Sequence, residues 1–142
     1  MAKKEEIQMT ADGLESASRP TAAEIRKARA HAPKMRERDL ARTIGVSEAE
    51  LVASFVGHGT SRIDPRFDDL FAGLQNVGPV MALTRNESAV HEKIGEFEKF
   101  INGKRAALML GEQIDTRMFP ANWVRGFAVE KREGEDVRRS LQ

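Results

Sequence analysis

The chain has no cysteine, and this absence removes several kinds of chemistry together. Disulfide bonds, thiolate nucleophiles, zinc–thiolate sites and iron–sulfur clusters all require cysteine side chains. Disulfides are rare in reducing compartments. The composition therefore fits a protein that works in such a compartment.

Charge of one sign and long apolar runs are equally scarce. The 23 basic and 22 acidic side chains leave a formal net charge of +1, so no overall field attracts nucleic acid or an anionic membrane. No stretch approaches the roughly 20 apolar residues that span a bilayer. Lys3 and Lys4 are not followed by the apolar segment of a secretory signal. We therefore expect a cytoplasmic protein that neither inserts into a membrane nor binds nucleic acid.

The motifs of conventional catalysis are missing as well. The sequence contains no G-x-S-x-G string, no Walker loop and no H-E-x-x-H string, and no Ser-His-Asp spacing stands out. The residues by themselves therefore predict no particular reaction.

The chain divides into a tail and one domain. Residues 1–20 mix charges with Ser, Ala and Gly without periodicity, which predicts a disordered tail. Residues 21–142 are long enough to enclose a single core. Two Ser/Thr-x-x-Glu capping boxes predict helix starts at Thr21 and Ser47, and apolar residues recur at helical spacing as far as Leu74.

Beyond this helical segment the pattern becomes that of strands. From Val80 onward, apolar and alternating runs are separated by turn signals, of which Asn102-Gly103 is a strong hairpin signal. Helices followed by an antiparallel β-sheet meander predict the α+β class.

Residues 38–52 have the pattern of a DNA-binding helix-turn-helix, with Leu-Ala-x-x-x-Gly-Val-Ser at its centre. In such a motif the second helix reads the major groove. Here that helix offers Glu48, Ala49, Glu50 and Ser54, and carboxylates repel phosphates and cannot make the paired contacts of Arg or Asn to bases. We therefore favour a helical hairpin that only packs, and keep a DNA-binding regulator as the alternative function.

Among the three histidines, His91 is the one that a strand could present to a ligand. His31 precedes a proline at a helix end, and His58 lies between two glycines. A strand over residues 84–95 would place Arg85, His91 and their alternate neighbours, including Lys93, on one charged face. A neutral imidazole with cations nearby could ligate a metal whose carrier bears negative groups. A solvated surface histidine is the other interpretation.

Three blocks of sequence carry a resemblance to a known family. They are residues 36–56, Arg85-Asn-Glu-x-Ala-Val-His-Glu-x-x-Gly95, and Asp115-Thr-Arg-Met-Phe119 followed by Trp123. In order and spacing they resemble the N-terminal half of the HemS/ChuS/HmuS haem-utilisation family, over about residues 21–142. The Arg-Asn-Glu-x-x-Val-His-Glu string is the most specific part.

The resemblance implies a haem-binding protein of iron acquisition. The family consists of two similar α+β halves with haem held near their junction by a histidine. Carried over to this chain, His91 would be the axial ligand of the haem iron, Arg117 would pair with a propionate, and Phe119 would pack on the porphyrin. Arg85 would be a second propionate contact. The chain would carry haem, degrade it with an external electron donor, or do both.

The resemblance also bears on partners. Residues 137–142 resemble a family strand that continues into another hairpin, so we expect a half-domain that is cut short at its C-terminal strand. A C-terminal half or a second copy of the chain would complete it. A protein-interaction half-domain without haem activity is the third alternative.

Overall fold

A computed structural model describes residues 18–142, which fall into two compact units divided after Ser54. Most of the predicted tail, residues 1–17, lies outside the described residues. Within the remainder of the predicted tail, the Arg19 guanidinium pairs with the Glu50 carboxylate at 3.3 Å.

In its described part, residues 18–54, the first unit contains three helices: α1 (Ala22–His31), α2 (Glu37–Ile44) and α3 (Glu48–Ala53). Both predicted capping boxes are present, because the hydroxyls of Thr21 and Ser47 accept the backbone N–H groups of Glu24 and Glu50 at 3.3 and 3.2 Å. Helix α2 ends at Gly45, whose backbone is left-handed with φ of 71°.

Apolar contacts hold these helices together. Helix α1 contributes one buried apolar side chain, α2 contributes two and α3 contributes one. They are Ile25, Leu40, Ala41 and Leu51. The predicted helical hairpin thus exists as α2, a turn and α3. Because α3 has only six residues and begins with Glu48, it offers little surface of the kind that reads a major groove.

The second unit contains one helix, eight strands and a short 3₁₀ turn over Pro120–Asn122 within the described part of the chain. The elements in chain order are β1 (Thr60–Ile63), α4 (Phe67–Leu74), β2 (Val80–Arg85), β3 (Val90–Gly95), β4 (Lys99–Asn102), β5 (Ala107–Leu110), β6 (Thr116–Met118), β7 (Gly126–Glu133) and β8 (Asp136–Leu141). All strand pairs are antiparallel, in the orders β1-β7-β8, β2-β3 and β4-β5-β6. The predicted α+β class is confirmed.

Two details differ from the sequence prediction. Strand β1 was not predicted. It is an edge strand that pairs with β7, so this sheet joins parts of the chain that are distant in sequence. The hairpin at Asn102-Gly103 is present, but its first strand is the separate β4 rather than a continuation of β3.

Aromatic side chains form the core of this second unit. Phe67 and Phe71 on α4 stack with ring centroids 4.4 Å apart and pack on Ala107 and Met109 of β5. Trp123 meets both rings edge-on, at 5.1 and 5.3 Å. Helix α4 therefore covers one face of the β4-β5-β6 sheet, and the partly buried Leu108 and Leu110 lie on the other face.

Strands β2 and β3 form a two-stranded ribbon, which is defined here as residues 80–95. The sequence predicted one strand over residues 84–95, and this prediction is wrong because Asn86 starts a turn. Its side-chain oxygen accepts the backbone N–H groups of Ser88 and Ala89 at 2.8 and 2.9 Å. The chain then returns in the register Arg85–Val90 and Thr84–His91.

The ribbon is anchored at its base by a close backbone approach. A Cβ atom on Gly95 would lie 2.6 Å from Cβ of Gln113 and 3.1 Å from Cγ1 of Ile114. Ile114 is itself only 2% exposed. Because no side chain fits between them, the end of β3 rests directly on the segment that leads into β6.

Substitution of Gly95 by alanine should loosen this anchor. We expect Gly95→Ala to lower the free energy of unfolding by roughly 1–3 kcal/mol, since Gln113 and Ile114 must move to admit the methyl group. Urea unfolding followed by circular dichroism measures the change. Gly73→Ala is the matched control: nothing lies within 4 Å of that position in α4, so stability should stay equal or rise by about 0.5 kcal/mol. Equal midpoints for Gly95→Ala and the parent chain would contradict the proposed anchor.

Candidate functional site

The two faces of the ribbon carry different side chains. The register places six residues on one face: Val80, Ala82, Thr84, His91, Lys93 and Gly95. The other face carries the remaining six: Met81, Leu83, Arg85, Val90, Glu92 and Ile94.

Arg85 therefore does not share a face with His91, and that prediction is wrong. The physical reason is the turn at residues 86–89, which interrupts the alternation on which the prediction was based. Arg85 stands opposite Val90, and His91 is the next residue along, so the two side chains leave the ribbon on opposite sides. Lys93, in contrast, shares the face of His91 as predicted.

The imidazole of His91 is exposed and makes no hydrogen bond or ion pair with any residue from 18 to 142. Its cross-strand neighbour is Thr84, and the next pair on the same face is Ala82–Lys93. These neighbours on β2 are small, so the space beside the imidazole is open. None of the six residues on this face is acidic.

The opposite face of the ribbon is apolar and exposed. Met81, Leu83, Val90 and Ile94 are 58%, 45%, 58% and 70% exposed. The sequence did not predict this surface, because its pattern indicated one strand over residues 84–95. The signal was present in Met81 and Leu83, which alternate with smaller residues along β2.

Arg117 and Phe119 belong to the other strand group. Arg117 stands opposite Leu108 in the β5–β6 register, on the sheet face that α4 does not cover. Phe119 follows in extended backbone and is 51% exposed, so its side chain leaves on the same side as that of Arg117. Arg117 makes no ion pair within the described part of the chain.

The anchor at Gly95 connects these two groups. Because Gly95 lies on the His91 face, the Cβ direction that meets Gln113 and Ile114 places this segment on the same side of the ribbon as His91 and Lys93. The segment continues into β6 and Arg117. His91 and Arg117 thus lie on separate strand groups that touch where Gly95 meets Ile114.

The other histidines are placed differently. His31 Nδ1 is hydrogen-bonded to the backbone carbonyl of Lys27 at 2.7 Å, and His58 is exposed in the loop between Gly57 and Gly59. Within residues 18–142, no group of three or more His, Asp or Glu side chains could hold a metal ion. An open depression of about 520 Å³ lies at the β4–β5 turn, and its lining includes none of the predicted site residues.

The donors at His91 fit haem. A single imidazole would be enough to hold an iron that a porphyrin already binds through four nitrogens. Lys93 and Arg117 offer cations without ion-pair partners among the described residues, which suits a macrocycle that carries two carboxylates.

Comparison with known proteins agrees with this fit. The family model described as the haemin-degrading HemS.ChuX domain matches residues 45–142. The hemin transport proteins HmuS of Yersinia pestis and HemS of Yersinia enterocolitica are each 38% identical over 117 residues, 82% of this chain.

Solved structures agree as well. Holo-PhuS, a heme-binding protein from Pseudomonas aeruginosa, is 36% identical over 87% of this chain with a TM-score of 0.81. The heme degrading enzyme ChuS of Escherichia coli O157:H7 is 30% identical over 82% of the chain with a TM-score of 0.74.

The match covers only part of these relatives. The chain spans 34% of the length of HmuS and HemS and 37% of that of PhuS. No helix among residues 18–142 has the length and apolar character needed to cross a membrane. The matched residues and the identities to these relatives assign the chain to the family of haemin-degrading HemS/ChuX domains.

Proposed function

We propose that this chain binds haem in the cytoplasm for iron acquisition, with His91 as the ligand of the haem iron. The observation that carries the proposal is the exposed imidazole of His91 on a face of the ribbon that is free of carboxylates. The similarity to HmuS, a hemin transport protein, to PhuS, a heme-binding protein, and to ChuS, a heme degrading enzyme, supports it.

Each predicted site residue has a separate task in this proposal. The His91 imidazole would hold the haem iron through a ring nitrogen. The Arg117 guanidinium holds a propionate through paired N–H donors. Phe119, which is 51% exposed, gains apolar contact by covering porphyrin. Arg85 lies on the far side of the ribbon from His91, so its predicted contact with a propionate has no support from this geometry.

Carriage and degradation of haem are the two forms of the activity. When haem is bound, iron and dioxygen with an external electron donor would supply the oxidation of the ring. The chain's own residues would hold the porphyrin and limit its exposure to water. Ascorbate added to the haemin-loaded chain in the presence of catalase distinguishes the two forms. A chain that degrades haem loses its Soret band and releases iron, whereas a chain that only carries haem keeps its Soret band and its iron.

The apolar face of the ribbon supports a second part of the proposal, which concerns a protein partner. A two-stranded ribbon is at best marginally stable when nothing covers it. Exposed apolar patches on soluble proteins commonly mark interaction sites. We infer that Met81, Leu83, Val90 and Ile94 pack either on a second copy of this chain or on a further part of a longer protein.

A haemin titration tests the haem proposal. We expect the parent chain to give a sharp Soret shift that saturates near one haem per chain. His91→Ala should lose this shift and bind at least about tenfold more weakly, or ~1.4 kcal/mol, because the axial ligand is gone. His58→Ala removes the same group from an exposed loop and should titrate like the parent chain. Unchanged affinity and spectrum in His91→Ala would reject His91 as the ligand.

Sedimentation velocity over a range of concentrations tests the second copy. We expect reversible dimers of the parent chain, and Ile94→Glu should abolish them because it places a charge in the apolar face. Val124→Glu is the matched control, since Val124 is 75% exposed and lies outside the ribbon. A parent chain that stays monomeric at all concentrations would dismiss the second copy as partner.

A further inference from the structure

Lys93 lies two residues after His91 on β3 and shares its face of the ribbon. Its side chain is exposed and forms no ion pair or hydrogen bond with residues 18–142. Its cross-strand neighbour, Ala82, carries only a methyl group, so nothing on β2 restricts where the ammonium group can reach. Lys93 is thus a free cation next to the proposed iron ligand.

The charges of the ribbon are divided between its faces. On the face of His91, Lys93 is the only residue with a permanent charge. On the opposite face, Arg85 and Glu92 carry charges of opposite sign. The His91 face is therefore locally positive, whereas the two charges on the other face offset each other. A ligand with negative groups is favoured on the His91 face alone.

The spacing suits a ligand that is held at its centre and charged at its edge. Alternate residues on a strand are separated by about 6.6 Å. A porphyrin whose iron was bound by His91 would lie next to the neighbouring residues of the strand, and propionates are at the periphery of a porphyrin. The lysine stem is flexible, and its ammonium group is a compact charge with three donors, so it can meet a carboxylate in many orientations.

We propose that Lys93 is the residue of the ribbon that binds a haem propionate, in the place that the family resemblance had assigned to Arg85. This inference rests on the proposed function, in which His91 ligates the iron. Arg117 remains the proposed propionate contact on the β4-β5-β6 group, so the two propionates would be held from separate strand groups.

The test compares two ligands and matched variants. The chain and its variant Lys93→Gln are titrated with haemin and with haemin dimethyl ester, whose propionates carry no charge. Each ligand is added from its own stock solution in dimethyl sulfoxide, at the same final solvent concentration. Lys104→Gln is the control, because Lys104 is exposed in the β4–β5 turn and makes no ion pair with the described residues. Arg85→Gln tests the rival cation.

We expect Lys93→Gln to weaken haemin binding about two- to fivefold, the range for an exposed ion pair. The loss should shrink as salt is raised, and it should be absent with the dimethyl ester. The Soret position should not change, because the axial ligand is intact. Lys104→Gln and Arg85→Gln should bind both ligands like the parent chain.

Two results would overturn the inference while the proposed function stands. One is a Lys93→Gln variant that binds haemin as tightly as Lys104→Gln. The other is a Lys93→Gln variant that loses the same factor with haemin and with the dimethyl ester, since the loss would then have nothing to do with the carboxylates. A parent chain without any Soret shift would reject the proposed function itself, and the role of Lys93 with it.

Discussion

The direct contact between Gly95 and the Gln113–Ile114 segment is the constraint on which the arrangement of the site depends. The ribbon has only two strands, and such a ribbon needs support from outside itself. Because a Cβ atom at Gly95 would come within 2.6 Å of Gln113, the support is given by a position that has no side chain. This contact decides which side of the ribbon the segment before β6 lies on. It therefore decides that His91, rather than Arg85, is on the side from which the chain continues to Arg117.

Local signals made much of the fold predictable. Some features involve only atoms within a few residues of each other, so they can be predicted from a short stretch of sequence. They are the capping boxes at Thr21 and Ser47 and the left-handed Gly45. The same holds for the apolar spacing of α4 and for the hairpin at Asn102-Gly103. Helices and tight turns depend on near neighbours, and this is why the α+β class was correctly predicted.

Long-range pairing and one side-chain turn were not predictable in this way. Strand β1 has four residues and is held by β7, which lies far along the chain, so its own residues give little indication of a strand. The turn at Asn86 depends on whether that side chain bonds to its own backbone or to something else. That single choice moved Arg85 to the other face. Haem as the ligand was predicted only from the family resemblance, because the residues alone were consistent with His91 either as a metal ligand or as a solvated histidine.

The ribbon separates two kinds of recognition by alternation alone. Its His91 face has an imidazole, a cation and small neighbours, a combination that suits a flat anionic ligand. Its other face has four exposed apolar side chains, which suit contact with a protein surface. Since the side-chain period of a strand is two residues, a shift of the register by one position would exchange these faces. The turn at Asn86 and the anchor at Gly95 hold the two ends of the ribbon and so prevent that shift. Ligand binding on one face and packing on the other would then reinforce each other, because both stabilise the same two strands.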